Sequence, residues 1–362
     1  MKIGIITFWG VPNYGAFLQA YALKHTVESL NHKIEVQLIP YLNNLHYNQY
    51  YSIIPNNNIR ALKNIIKRIR NYSSIKANKN NFINAYINLS GEDRITVNEL
   101  QKREYDCIIL GSDIIWDYTI SFFGEDLFLF GNQLKAKNII SYAASFGTAP
   151  LEKELPEYVL KGINNISSIS VRDKKSELII NKYFKRQALQ MPDPTLLWDF
   201  ENDKNFSLPN NYGDYIVIYG SHFSENHIKD VIIYAKEHNY KIICLDSGGD
   251  NFNWCDINLN QNNLSPFEWV NIYKNAKAIM TCTFHGLLFG LIFRKPIAFE
   301  LTDFIRPKVS SLINDLNLET PLINMTSFKE KIEWNWNYDS IYKSIIKVRE
   351  KGLLYLKENI HI

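Results

Sequence analysis

The sequence predicts a doubly wound α/β protein built from two Rossmann-like domains facing across a cleft. Three observations carry that expectation. Short apolar runs of strand length alternate with helical patterns along most of the chain. The series stops at a polar stretch, 199–213, which holds Pro209 and Gly213, and then begins again. The 362 residues are also enough for two ordinary domains, each with its own core.

Residues 2–8 read as the first strand, 9–15 as a loop, 16–30 as a helix and 34–39 as the second strand. A basic helical insert follows, at about 50–90. The next strands are 107–110, ending in Gly111-Ser112-Asp113, then 138–143, ending near Ser145-Phe146-Gly147. Another is 167–171, ending at Arg172-Asp173 with a helix after it. Met191-Pro192-Asp193-Pro194-Thr195 closes the first series, and 199–213 reads as the linker. The second series opens with strand 215–219, ending in Gly220-Ser221-His222, and helix 227–238. Strand 241–246 ends in Ser247-Gly248-Gly249. Ser265, Pro266 and Glu268 announce a helix start, as N-cap, first helical residue and capping-box partner. Strand 278–282, helix 286–293 and strand 297–299 form a crossover. A long helix, 340–358, is placed to return to the first domain. The expected division is 1–200, 201–338 and a terminal helix, 339–362.

Hydrophobic content of 46% and charged content of 21% fit a globular protein in water. Cys107, Cys244, Cys255 and Cys282 are widely spaced, which argues against disulfides and a thiolate zinc site and for a reducing, cytoplasmic setting. The first eight residues read as a strand rather than a signal peptide, and no run approaches the roughly 20 apolar residues of a membrane span. The net charge of +3 is uneven. Between Glu35 and Glu92 there is no acid, but there are Arg60, Lys63, Lys67, Arg68, Arg70, Lys76 and Lys79. Without those seven the chain would stand at 3 − 7 = −4, so nucleic acid is not an expected partner. Ile59, Leu62, Ile65, Ile66 and Ile69 share one helical face. Such a helix either rests on an anionic membrane or docks by its isoleucines and leaves its lysines in water.

Several constellations can carry chemistry. Gly10-Val11-Pro12-Asn13-Tyr14-Gly15 is a tight turn or a ligand loop at a helix N-terminus, and is not a dinucleotide fingerprint. Asp113 follows an apolar strand, where it either binds and deprotonates a sugar hydroxyl or caps a helix. Ser112 shares that choice, and Trp116 either stacks on a sugar or packs. Arg172 suits a phosphate or carboxylate, or an ion pair, and Asp173 suits a helix cap. Thr281-Cys282-Thr283-Phe284-His285-Gly286 places His285 at a strand end beside a helix N-terminus, where a histidine can hold a phosphate and move a proton, or simply pack. Arg294, Lys295, Arg306 and Lys308 are the nearby cations. His222 and His227 are the other histidines suited to a ligand. No metal-ligand spacing and no Gly-x-Ser-x-Gly elbow is present.

Taken together, these segments resemble the polysaccharide pyruvyl transferase family. The strings are Asn13-Tyr14-Gly15-Ala16, Gly111-Ser112-Asp113-Ile114-Ile115-Trp116, Tyr142-Ala143-Ala144-Ser145-Phe146-Gly147, Ser170-Val171-Arg172-Asp173, Asp193-Pro194-Thr195, Phe284-His285-Gly286 with Lys295-Pro296, and Arg306 with Lys308. The resemblance implies a GT-B-like fold and transfer of pyruvate from phosphoenolpyruvate to two sugar hydroxyls as a cyclic ketal. It implies His285 as acid or phosphate ligand and Asp113 as the residue that orients or deprotonates the acceptor. Arg172, Arg306, Lys308, Gly286 and Lys295 would hold the donor. Asn13, Tyr14, Gly15, Ser112 and Trp116 would meet the acceptor. Phosphoenolpyruvate would be a co-substrate, with no cofactor or metal. If the sugar is lipid-linked, the basic helix would touch the inner membrane face. Two positions depart from the family pattern: Asp117 stands where Asn is frequent, and Thr283 where some members have arginine. The rival readings are a nucleotide-sugar glycosyltransferase, with Glu300 on the ribose, and a non-catalytic carbohydrate-binding protein.

Overall fold

The computed structural model describes residues 1–54, 62–246, 252–260, 264–303 and 305–361. Ile59 and Arg60 of the basic segment, and Ser247-Gly248-Gly249, lie outside the described residues. The chain forms two compact units, one made of Met1–Trp198 with Val348–Ile362, the other of Asp199–Lys347.

The first unit holds β1 (Lys2–Ile6), β2 (Glu35–Leu38), β3 (Glu104–Leu110), β4 (Lys135–Ser141), β5 (Ser170–Val171) and β6 (Leu189–Gln190). Its helices are α1 (Tyr14–Leu30), α2 (Asn44–Tyr51), α3 (Leu62–Arg70), α4 (Tyr72–Ser90), α5 (Val97–Leu100), α6 (Glu157–Asn164) and α7 (Lys174–Phe184). All pairings are parallel, in the order β2-β1-β3-β4. The β5-β6 pair joins the β4 side through bridges Ile140–Ser168 and Ala144–Val171. Ile3, Ile5 and Ile6 of β1 are fully buried, as expected of a parallel strand covered on both faces. The strand order changes direction between β1 and β3, and ligand crevices of doubly wound sheets open at such a reversal, beyond the strands' carboxyl ends.

The second unit holds β7 (Tyr215–Tyr219), β8 (Lys241–Asp246), β9 (Ile257–Asn260), β10 (Ala278–Thr281) and β11 (Ile297–Phe299). Its helices are α8 (Glu225–His238), α9 (Pro266–Asn275), α10 (Phe284–Ile292), α11 (Arg306–Leu316) and α12 (Phe328–Glu333). The sheet is parallel throughout, ordered β11-β10-β7-β8-β9, and reverses between β7 and β10. Most of the stretch expected to be a linker is exposed, but two of its aromatic residues are packed. Phe200 and Phe206 are fully buried, and the Phe200 ring lies 5.2 Å from Phe206 and 5.0 Å from Phe289. These two aromatic anchors tie the first half of the polar stretch to the second unit.

A last helix, α13 (Tyr338–Ile360), begins in the second unit and continues into the first. There Tyr355, Leu356 and Ile360 are buried, and the Tyr355 hydroxyl donates to the Ser141 carbonyl at 2.9 Å. Gly352 permits the close approach, since a Cβ would lie 2.5 Å from the Tyr142 hydroxyl and 2.7 Å from Leu197. Among the described residues no helix is long and apolar enough to cross a membrane.

Candidate active site

In the first unit the reversal brings the loop after β1 beside the loop after β3. Asn13 caps α1, its Oδ1 accepting from the Ala16 amide at 3.0 Å. Tyr14 and Gly15 are buried in the first turn, with the Tyr14 ring 5.1 Å from Phe82. Of the three expected acceptor contacts in this loop, Asn13 alone is exposed. Below it, Gln19 donates to Thr7 Oγ1 at 2.9 Å and accepts from the Ser112 amide at 3.1 Å, and Thr7 donates to the Ser112 carbonyl at 3.0 Å. That buried, satisfied network fixes the β3 loop to α1. Ser112 is fully buried and its hydroxyl accepts from the Asp113 amide at 2.5 Å, so it serves the loop rather than an acceptor. Trp116 is also fully buried, donating to the Leu129 carbonyl at 2.9 Å and packing 5.4 Å from Phe146. It is a core residue, not a sugar platform.

Asp113 is the residue this loop presents. Its φ of 75° lies in the left-handed region, after Gly111 at φ 121°. A side chain at Gly111 would collide with the Tyr142 carbonyl. Arg172, at the end of β5, donates to Asp193 at 2.8 Å and to Asp113 at 3.3 Å. Burial alone would lower the Arg172 pKa, but Asp113 and then Asp193 hold it above its ordinary value. Arg172 thus takes the ion-pair alternative, between two carboxylates. Asp193, whose side chain is 1% exposed, was not among the expected site residues. Nor was Tyr50, whose hydroxyl is pushed up to about 12 by burial and then by the Asp113 charge. Asp173 takes the capping alternative, accepting from the Ser176 amide at 2.8 Å and from Ser145 Oγ at 2.6 Å.

In the second unit the reversal lies between the ends of β7 and β10. Ser221 and Cys282 join those ends: the Ser221 amide donates to Cys282 Sγ at 3.3 Å, and Sγ donates to the Ser221 carbonyl at 3.2 Å. His285 follows as the second residue of α10, part-exposed, its ring 5.2 Å from Phe284. Thr283 is the N-cap, accepting from the Gly286 amide at 3.0 Å. Gly286 is therefore a packing residue: its amide is used by the cap, and a Cβ would collide with Thr281 Oγ1 and lie 2.5 Å from Thr283 Oγ1. Arg306 and Lys308 occupy the first turn of α11, on the segment leaving the same carboxyl edge of the sheet. Lys295 does not join them. It precedes β11, at the amino edge, and after burial the charge that most lowers its pKa is Lys277, just before β10. The nine residues of α10 span about 13 Å between the two edges. Arg294 shares that edge and pairs with Glu201 at 3.6 Å.

His227 and Glu300 form a second buried pair. His227 Nδ1 meets Glu300 at 2.5 Å and Nε2 meets the Thr326 carbonyl at 2.8 Å, while the Ser224 amide donates to Glu300 at 3.2 Å. Burial raises the Glu300 pKa, and the His227 bond and the Ser224 amide more than reverse it. Both residues are occupied in holding α8 to the end of β11, which leaves His222, exposed at φ 59°, as the histidine of that loop open to solvent.

The polysaccharide pyruvyl transferase family model matches residues 13–299. The chain belongs to that family. No curated protein matches it. Among solved structures it is similar to a UDP-GlcNAc 2-epimerase of Methanocaldococcus jannaschii, at 12% identity over 96% of this chain and 93% of that one, TM-score 0.49. A UDP-GlcNAc 2-epimerase of Neisseria meningitidis bound to UDP-GlcNAc matches at 11% identity over 100% and 94%, TM-score 0.46. The E. coli heptosyltransferase WaaC with ADP matches at 13% identity over 83% and 87%, TM-score 0.39. The two units of this pyruvyl transferase family member are each Rossmann-like, the make-up of a GT-B-like chain.

Asp117 and Thr283 both have local physical roles. Asp117 accepts from the amide and hydroxyl of Thr119, at 3.2 and 2.6 Å, and from those of Thr148, at 2.6 and 2.7 Å. Thr283 supplies the α10 cap.

Proposed function

We propose that this protein transfers pyruvate from phosphoenolpyruvate onto two hydroxyls of a sugar, forming a cyclic ketal during synthesis of a bacterial exopolysaccharide, capsule or cell-wall polymer. Family membership supports a transferase with a sugar or polysaccharide acceptor. The residue assignment rests on one observation: Asp113 and His285 each stand at the sheet reversal of their own unit. The donor is used in the cytoplasm, as a co-substrate without a further cofactor.

Protonated His285 gives its proton to the methylene carbon of phosphoenolpyruvate, which makes C2 electrophilic. One sugar hydroxyl attacks C2 and passes its proton to the Asp113 carboxylate. The second hydroxyl attacks C2 as the bond to the phosphate oxygen breaks. Phosphate leaves with the electron pair and takes up the remaining proton. Arg172 orients Asp113 and does not touch the donor, while Arg306 and Lys308 meet the donor's anionic groups. The test is the product formed from an acceptor panel with phosphoenolpyruvate. A mass gain matching a pyruvate ketal, with release of phosphate, is the expected result. Thermal stabilisation by UDP-sugars but not by phosphoenolpyruvate would overturn it in favour of a glycosyltransferase.

A further inference from the structure

We infer that α3, with Ile53, Ile54 and Tyr72, forms a docking surface for an anionic membrane. The sequence left two orientations open for the basic helix; of its apolar face, Ile65 is half-buried while Ile66 and Ile69 reach solvent. Ile66 is 46% and Ile69 56% exposed, so these isoleucines face solvent rather than the unit's core. Lys67 and Arg70 are exposed as well. Ile66, Ile69 and Arg70 fall at i, i+3 and i+4, on one helical face, with Lys67 at its border. Arg68 is the cation that turns inward, donating from Nε to the Ser52 carbonyl at 2.7 Å. That bond brings α3 beside Ile53 and Ile54, which are 37% and 56% exposed. Tyr72, two residues past the helix, is 52% exposed.

The charge pattern names the occupant. No acidic residue occurs between Glu35 and Glu92, so along the chain the exposed aliphatic groups are flanked by cations and neutral residues. A second copy of this face would set like charges against each other, and a nucleic acid would leave the isoleucines in water. A bilayer with anionic headgroups satisfies both features: the side chains enter the headgroup boundary and the cations meet phosphate.

The surface is independent of the donor chemistry, and so is its test. The intact protein is sedimented with phosphatidylcholine vesicles with and without phosphatidylglycerol. Binding is expected with the anionic lipid and is expected to weaken as salt is raised. Lys67→Gln with Arg70→Gln should lower affinity about 30-fold, at about 1 kcal/mol per cation. Ile66→Ser with Ile69→Ser should lower it about tenfold or more. Both variants should keep their melting temperature and their turnover of a water-soluble acceptor. Equal binding to neutral vesicles, or binding untouched by both variants, overturns the inference. So does self-association that the isoleucine variant abolishes in a protein that ignores vesicles, or capture of an acidic soluble protein in place of lipid.

Discussion

Arg172 and Asp113 form an ion pair of 3.3 Å, with side chains 10% and 15% exposed, and the guanidinium is anchored from behind by Asp193 at 2.8 Å. Asp113 is therefore held at its carboxylate as well as by its backbone. Replacing Arg172 with Met leaves two carboxylates facing each other, and a loss of about 3–5 kcal/mol is expected in chemical denaturation. Asp113→Asn should unfold near the wild-type midpoint yet lower turnover about 10²–10⁴-fold, read as phosphate release. Equal losses of stability in the two variants would count against this division of roles.

In the proposed reaction His285 carries the chemistry, while Thr283, two residues earlier, caps α10. Thr283→Ala should cost about 1 kcal/mol through the lost α10 cap, and Thr283→Ser should restore it. His285→Gln should leave the melting temperature in place and lower kcat about 10²–10⁴-fold. Full turnover by His285→Gln would remove it from the mechanism.

His46 makes stability depend on pH. Its ring is 1% exposed among Phe8, Tyr50, Phe122 and Phe123, and burial lowers its pKa from 6.5 to about 3. Between those values the unfolded chain binds a proton that the folded ring refuses. The His46 contribution is complete above about 6.5 and lost as pH falls towards 3. The stability difference between wild type and His46→Phe should change by about 1.4 kcal/mol per pH unit in that window and level off above it. Denaturation midpoints across the range measure it, and a flat difference would show that the ring titrates normally.

Asp117 uses both carboxylate oxygens as acceptors for four donors. Asparagine in its place would turn an amide group towards one pair of donors. Asp117→Asn should cost about 1–3 kcal/mol without a change in acceptor KM. An unchanged melting temperature would mean that the loop rearranges around the amide.

Four strands of the second unit were legible as short apolar runs between breakers, and β7, β8 and β11 match their expected limits, whereas β9, which alternates Ile257-Asn258-Leu259-Asn260, was missed. The α9 start was legible too, since Ser265 and Glu268 form a capping box whose partners are three residues apart. Side-chain direction was not. Ser112, Asp113 and Trp116 share one loop, but only Asp113 points away from the core, a choice set by backbone angles that no residue type announces. The Arg172–Asp193 pair spans 21 positions and appears only after β5 and β6 align. Lys295 was misplaced because nearness in sequence to His285 hid the length of the helix between them. The sheet orders, which set where the loops of Asp113 and His285 converge with their neighbours, come from tertiary pairing alone.

The division of α13 between the units bears on how the protein is made. The second unit is one continuous stretch, whereas the first needs Val348–Ile362 to complete it. As the chain leaves the ribosome, the part synthesised first is therefore the part finished last. Until α13 emerges, the Ser141 carbonyl lacks the Tyr355 hydroxyl and Tyr142 lacks the cover of Gly352. The unit that bears Asp113 would wait, with that side open, for the later part of a helix whose start belongs to its neighbour.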